Sequence, residues 1–307
     1  MPRDAKPRSN PMDMIPSWSD RSAESRFDRK RETPHSRTRS STGDEGIHQE
    51  DATVRQHDAT IGGYWLITLY SPAIAPRVEP GQFVHLKIPF LNEALLRRPF
   101  SVYQAEGEIL RLLYKDTGKG THQMTRLKSG DSVNLIGPLG RPFPRHAPDA
   151  TPVLVAGGYG MAALYLVAKN QPKIGTAFFG GASKEDILCV DQFQAMGWPV
   201  VIATEDGSLG QQGRVTDALD GWLGSRGESP RPEYFACGPN AMLRAVGDRA
   251  RAGGDTAWLS MDRNMGCGVG ACLTCVQKVQ RKNGDWTWAR VCKEGPVFEC
   301  REIVWDE

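Results

Sequence analysis

No apolar run in this 307-residue chain is long enough to cross a bilayer. The longest, such as Ala162 to Ala168, fall far short of the roughly 18 residues that a span needs. The N-terminus has no apolar core of the kind a secretory leader carries, so no export signal is expected. Net charge is nearly absent too, with 38 Lys+Arg against 36 Asp+Glu, a balance of +2. That excludes a large basic field for nucleic acid, although a local patch survives such cancellation. The 6 histidines are scattered, with no metal-ligand spacing between them. A G-x-S-x-G elbow, a Walker loop and an internal repeat are all missing. Neither nucleic acid nor membrane is therefore expected as a partner, and the expected compartment is the cytoplasm.

Apolar residues are also missing locally. Residues 1 to 50 contain only nine of the AVILMFWYC set, alongside 10 Lys+Arg and 9 Asp+Glu. Such a segment cannot bury enough apolar surface to offset its ordering entropy, so residues 1–51 read as a disordered tail. It is too acidic for a transit peptide. It serves either as a tether for a partner or as an idle extension.

The rest of the chain is organised. From about 52 to 149 it shows short strands: Tyr64–Tyr70, Gln82–Ile88, Ile109–Tyr114 and Asp131–Ile136. Turn signals at Pro80-Gly81, Gly118 and Gly130 separate them, and Gly120–Leu127 reads as one short helix. This is the pattern of an antiparallel β-barrel or sandwich. From 150 to 261 strand and helix alternate. The expected strands are Thr151–Val155, Thr176–Phe179, Val200–Ala203, Glu233–Ala236 and Thr256–Met261. The expected helices run to Lys169 and over Asp186–Met196, Val215–Leu223 and Asn240–Ala252. That rhythm predicts a doubly wound parallel α/β sheet. Residues 262–307 form a small third module, making the chain an α+β multidomain protein.

The third module holds most of the cysteine. There are 7 cysteines, an odd number, and five of them fall at Cys267, Cys272, Cys275, Cys292 and Cys300. A disulfide scaffold would spread pairs over a small secreted chain. Here Cys267, Cys272, Cys275 and Cys292 have the spacing C-x4-C-x2-C-x16-C, the plant-type 2Fe-2S pattern. Four thiolates must converge on two irons. Glycines at 266, 268 and 270 let the loop turn tightly and bring backbone N–H groups close. Structural zinc is the main alternative, although zinc sites favour C-x2-C pairs. Cys300 falls outside the spacing and reads as a small hydrophobe.

Two further motifs suit nucleotides. Ala156-Gly157-Gly158-Tyr159-Gly160 follows a strand and opens a helix, where a diphosphate can rest on backbone N–H groups. It is not G-x-G-x-x-G, and glycine turns also serve packing. Cys237-Gly238-Pro239 ends a later strand of the same sheet and projects to the same edge. Within the barrel, Arg97-Arg98-Pro99-Phe100-Ser101-Val102 joins a charge to a hydroxyl, a combination that can hold a diphosphate. Leu113-Tyr114-Lys115 and Gly120-Thr121 lie on the next segment. On its own chemistry, Tyr114 reads as core.

Together these motifs resemble the ferredoxin-reductase superfamily. Met265 to Cys275 and Val291-Cys-Lys-Glu-Gly-Pro-Val-Phe298 resemble its branch of type B dihydroorotate dehydrogenase electron-transfer subunits, over roughly residues 53 to 305. The resemblance implies FAD at Arg98, Pro99, Phe100, Ser101, Leu113, Tyr114, Lys115, Gly120 and Thr121. It implies NAD at Gly157, Gly158, Gly160, Cys237, Gly238 and Pro239, and a 2Fe-2S cluster on Cys267, Cys272, Cys275 and Cys292. It implies no acid or base catalyst, since the chain relays electrons for pyrimidine biosynthesis. The implied partner is an FMN-containing dihydroorotate dehydrogenase catalytic subunit, in a heterotetramer of two plus two. The other readings are a reductase subunit for an oxygenase or hydrogenase-like partner, and a zinc module with a degenerate nucleotide site. The family usually has arginine where Lys115 stands, and prolines where this chain has Ala162-Ala163, a change expected to loosen the helix start.

Overall fold

A computed structural model describes residues 46–90, 95–227, 230–281 and 283–305, which belong to one compact unit. The expected tail, up to residue 45, lies outside the described residues.

The barrel comprises β1 (His48–Ala59), β2 (Tyr64–Tyr70), β3 (Phe83–Leu86), β4 (Arg98–Ser101), β5 (Gln104–Glu106), β6 (Ile109–Lys115), the short helix α1 (Lys119–Met124) and β7 (Ser132–Leu139). Its strands run in the order β4-β3-β7-β1-β2-β6-β5, all antiparallel. The sheet curls until β4 packs against β6. Inward residues Ile67, Leu69, Val84, Leu86, Leu110, Leu112 and Leu135 are fully buried and form its core.

β1 corrects the expected tail boundary. It starts at His48, inside the segment read as tail, and occupies the middle of the sheet between β7 and β2. Only Ala52 and Val54 of this strand are buried, so its sequence is polar almost throughout. Its start is fixed by Glu50, whose carboxylate accepts from the Ser71 hydroxyl and from the N–H groups of Ala73 and Ile74, the last two at 3.0 Å. Charge-assisted bonds to a loop hold what apolar alternation does not.

The second sheet contains β8 (Thr151–Gly157), β9 (Thr176–Gly181), β10 (Val200–Thr204), β11 (Gln211–Gln212), β12 (Pro232–Cys237) and β13 (Thr256–Ser260), in the order β11-β10-β9-β8-β12-β13. All of these pair in parallel. Helices α2 (Gly160–Asn170) and α3 (Val190–Ala195) cover one face, and α4 (Val215–Ser225) and α5 (Asn240–Gly253) the other. Leu154 and Ala156 point into the first layer, Val153 and Val155 into the second, as the two-residue period of a strand requires. This is the expected doubly wound sheet. The expected helix over Asp186–Met196 is shorter, beginning only at Val190. Ser183 caps a single turn at Lys184–Asp186, and Ile187 and Leu188 then turn inward. α2 begins at Gly160, and Ala162 and Ala163 are buried in its first turn.

The last module forms a hairpin of β14 (Val276–Gln280) and β15 (Trp286–Arg290), then β16 (Val297–Glu299). β16 adds antiparallel to β13, so the module returns a strand to the nucleotide sheet. Its buried Cys275, Cys292 and Val279 join the core under α4 and α5.

Candidate functional site

Every long parallel strand ends at one edge of the second sheet, and two clefts open there. This is where open α/β sheets present their ligand sites. The first cleft, of about 680 Å³, is lined by Gly157 and Gly158 after β8, Gly180 and Gly181 of β9, Glu205 after β10, and Pro239 and Met242 at α5. The second, of about 630 Å³, is lined by Arg98, Pro99, Phe100 and Ser101 of β4, Leu113, Tyr114 and Lys115 of β6, and Thr121 of α1. Its other wall is Cys237, Gly238 and Ser260 to Met265. Lys115 and Tyr159 line both clefts, so the two share a wall.

The glycines have distinct tasks. A side chain on Gly160 would collide with the Cys237 carbonyl, and one on Gly157 would sit 2.8 Å from the Pro239 ring. These residues let the turn after β8 nest against the turn after β12. Gly157 and Gly158 also line the first cleft. Gly160, and likewise Gly120 in the barrel, lie outside the residues that line the two clefts.

The shared wall is tied together electrostatically. Lys115 Nζ lies 2.7 Å from Asp186 Oδ1, and the Tyr64 hydroxyl donates to the same oxygen at 3.1 Å. The Lys115 ammonium also lies 4.8 Å from the Tyr64 ring centroid. Hydrogen bonding from Lys115 holds the Asp186 carboxyl below its ordinary pKa, and burial pushes the Tyr64 phenol well above its own. Sequence reasoning missed Tyr64, Asp186 and Tyr159. The first two are joined to Lys115 only by the fold, whereas Tyr159 lay visible inside the glycine motif. It also missed Arg214 as a cleft residue.

In the second cleft Tyr114 is buried, edge-on to Phe100 with centroids 5.8 Å apart, and its hydroxyl meets His57 Nε2 at 2.9 Å. The Thr121 hydroxyl accepts from the N–H groups of Thr117 at 3.0 Å and Gly118 at 3.1 Å, fixing the entry to α1. Arg98 is exposed and carries its charge at the cleft mouth. Burial pushes the Cys237 thiol up to about 12, so it stays protonated at neutral pH. It is a packed neutral group rather than a nucleophile.

Met265 of this cleft leads directly into the cysteine loop. There the four thiols fall into two pairs. Cys267 Sγ accepts from the N–H groups of Ala271 at 3.2 Å and Cys272 at 3.3 Å, and the Cys272 thiol faces that of Cys267. Cys275 Sγ accepts from the Cys292 N–H at 3.4 Å, and the Cys292 thiol faces that of Cys275. The first pair is half-buried and the second buried. Hydrogen bonding from Thr274 lowers Cys272 to about 6, whereas burial raises Cys292 to about 12. Among the described residues, no three His, Cys, Asp or Glu side chains converge on a single metal position. Two thiols per iron is the donor set of a two-iron cluster, and the residues present fit that group.

From the barrel side, His85 of β3 presses on this loop. Gly268, at φ +71°, places its α-carbon against the imidazole, so that a side chain there would lie 2.8 Å from His85 Cγ. The ring is fully buried, and neither nitrogen has a hydrogen-bond partner. Burial lowers its pKa, so the ring is neutral at neutral pH.

Known proteins resemble this chain in sequence and fold. The family model for the iron–sulfur cluster binding domain of dihydroorotate dehydrogenase B matches residues 262–304. The dihydroorotate dehydrogenase B (NAD(+)) electron transfer subunit of Geobacillus thermodenitrificans is 40% identical over 246 residues, covering 78% of this chain and 91% of the relative. Its counterpart in Desulforamulus reducens is 37% identical over 241 residues, covering 77% and 90%. Among solved structures, a chain of an NADH-dependent reduced ferredoxin-NADP oxidoreductase matches with a TM-score of 0.72 at 28% identity, over 83% of this chain and 90% of that one. The ferredoxin reductase of carbazole 1,9a-dioxygenase shares the fold, with a TM-score of 0.57 at 21% identity over 68% and 67%.

Proposed function

The chain belongs to the family of dihydroorotate dehydrogenase B electron-transfer subunits, and from that premise we infer how its residues share the work. It is a flavin- and iron–sulfur-dependent NAD(H) oxidoreductase subunit that works with FAD, a 2Fe-2S cluster and NAD. The observation that carries the residue-level reading is the sharing of walls. Lys115 and Tyr159 join the first cleft to the second, and Met265 joins the second to the cysteine loop. Sites joined in succession in this way suit a relay.

In our reading the first cleft takes NAD(H). Gly157 and Gly158 line it just before α2 with no side chain in the way, the Gly158 N–H being held by the Gly180 carbonyl at 3.0 Å, and Pro239 forms the opposite turn. The second cleft takes FAD. Arg98 supplies the charge for its diphosphate, Ser101 and Thr121 supply hydroxyls, and Phe100, Leu113 and Tyr114 form an apolar wall that excludes water. Cys237 and Gly238 close the inner side of the second cleft with a neutral thiol and bare backbone. Cys267, Cys272, Cys275 and Cys292 hold the cluster as thiolates. When bound, the flavin supplies the exchange between hydride and single-electron chemistry that a cluster cannot perform alone. No side chain of this subunit acts as acid or base.

The subunit serves a catalytic partner. We take that partner to be an FMN-containing dihydroorotate dehydrogenase, in a two-plus-two heterotetramer in the cytoplasm. Among the described residues, no helix is long and apolar enough to cross a membrane. Coexpression with the candidate catalytic subunit tests the reading. NAD-dependent oxidation of dihydroorotate is expected for the wild type and lost in Cys272→Ser. Activity untouched by that change would overturn the cluster's role as conduit.

A further inference from the structure

His85 is a fully buried polar group with no part in either cleft. Its strand pairs with Pro99 of β4, part of the wall of the second cleft, and with Ile136 of β7. Its side chain reaches past the sheet to Gly268, the residue immediately after ligand Cys267. One imidazole therefore touches the cysteine loop and belongs to the barrel.

The ring's hydrogen bonding is incomplete. A neutral imidazole carries one N–H, which costs free energy when buried without an acceptor. Here neither ring nitrogen has a partner, although the residue is fully enclosed. The backbone of Cys267 and of Arg97 approaches the ring, but neither is aligned to satisfy it. The Arg97 guanidinium offers the ring no acceptor, since it donates to the His85 carbonyl at 3.4 Å and to the carbonyl of Asn134 at 3.1 Å and its side chain. The ring's contact with Gly268 sets it facing the cysteine loop, the side from which an acceptor can come.

We propose that His85 is a positioning residue of the iron–sulfur site, a hydrogen-bond donor that the barrel holds against the cysteine loop and whose acceptor is sulfur of the loaded cluster. Donation to cluster sulfur stabilises the more negative, reduced form and so raises the potential. Outer-shell donors of this kind tune a metal site without ligating it. The inference rests on the assignment of the four cysteines as cluster ligands.

The test uses the full chain coexpressed with its catalytic subunit, reduced stepwise without oxygen and followed by electron paramagnetic resonance. His85→Gln keeps a donor and is expected to titrate with the wild type. His85→Leu removes it, and its one-electron reduction equilibrium is expected to fall at least tenfold, a shift of about 59 mV. A Leu variant that titrates with the wild type overturns the proposal. Where the Leu variant fails to load a cluster, the wild type labelled with ¹⁵N-histidine decides. Pulsed measurements should find one histidine nitrogen coupled to the reduced cluster and lost in His85→Gln, and finding none overturns the proposal. A wild type with no 2Fe-2S signal at all would instead refute the cluster reading itself.

Discussion

Lys115 Nζ and Asp186 Oδ1 lie 2.7 Å apart, and that bridge ties barrel strand β6 to the turn after β9. Both residues line the first cleft, and Lys115 alone of the pair also lines the second. The ammonium is thus held by the nucleotide sheet while also lining the second cleft. A flexible lysine anchored in this way serves as a fixed charge at the seam between two ligands.

Asp186→Asn should cost about 0.5–1 kcal/mol at neutral pH, because both side chains are partly exposed and solvent screens the pair. The carboxyl is held below its ordinary value, first by hydrogen bonding from Lys115. A depressed folded pKa gives stability that is fully present above the unfolded value of about 3.8 and lost as pH falls through the folded one. Urea unfolding of both proteins should therefore show a gap that is constant from pH 7 to 5 and closes in more acid solution. A gap that widens with acid would show that Lys115 is not the carboxyl's main partner.

Gly160→Ala and Gly158→Ala separate packing from cleft lining. A methyl group at 160 meets the Cys237 carbonyl, which is backbone and cannot swing away, whereas one at 158 comes no nearer than 3.6 Å to the Tyr64 hydroxyl. Overpacking of this kind costs about 1–3 kcal/mol, and each kcal/mol moves Tm by about 2–4 °C in a chain of this size. Gly160→Ala should show the larger fall in Tm. Gly158→Ala, at φ +55°, should lose about 1 kcal/mol to strain and raise the KM for NADH more. Equal effects in both assays would refute the division.

The parallel sheet was legible because its strands are short apolar runs that nothing but burial explains. The pairing of the four proposed ligand cysteines on one loop was legible because their spacing is itself the geometry of that loop. β1 was not, because only Ala52 and Val54 face inward and Glu50 fixes the strand through hydrogen bonds to a loop twenty residues on. His85 was hidden among alternating barrel residues. Its contact with Gly268 exists only because two modules that are distant in sequence meet there. Gly160 was legible as a glycine but not as a packing glycine, since the Cys237 carbonyl that requires it lies on another strand.

The two thiol pairs should respond differently to mutation. Cys275 and Cys292 are buried and share a core with Val279 and Val291, whereas Cys267 and Cys272 are half-buried. Cys292→Ser puts a hydroxyl into that core and should cost stability by about 1–3 kcal/mol beyond the loss of the cluster. Cys272→Ser should lose the cluster's visible absorption and electron delivery to the partner. It should still pass electrons from NADH to a two-electron dye, because neither cleft is touched. Thermal scans of the two variants, both without cluster, isolate the packing contribution, and Tm should be lower for Cys292→Ser.

Removal of the cluster exposes a hierarchy of thiols. Once iron is chelated, Cys272 titrates at about 6, drawn down by hydrogen bonding from Thr274, while burial keeps Cys237 at about 12 and Cys300 at about 11. The thiolate is the nucleophile, so at pH 7 Cys272 is mostly reactive and the other two are almost wholly protonated and enclosed. Brief iodoacetamide treatment followed by peptide mass mapping should find Cys272 labelled first, with Cys237 and Cys300 unlabelled until the chain unfolds. Thr274→Val should slow labelling of Cys272 at pH 7 by raising its pKa, and the difference should vanish near pH 10, where the thiolate forms in both proteins. Persistent slow labelling at pH 10 would mean that Thr274 acts through access to the loop rather than through the proton.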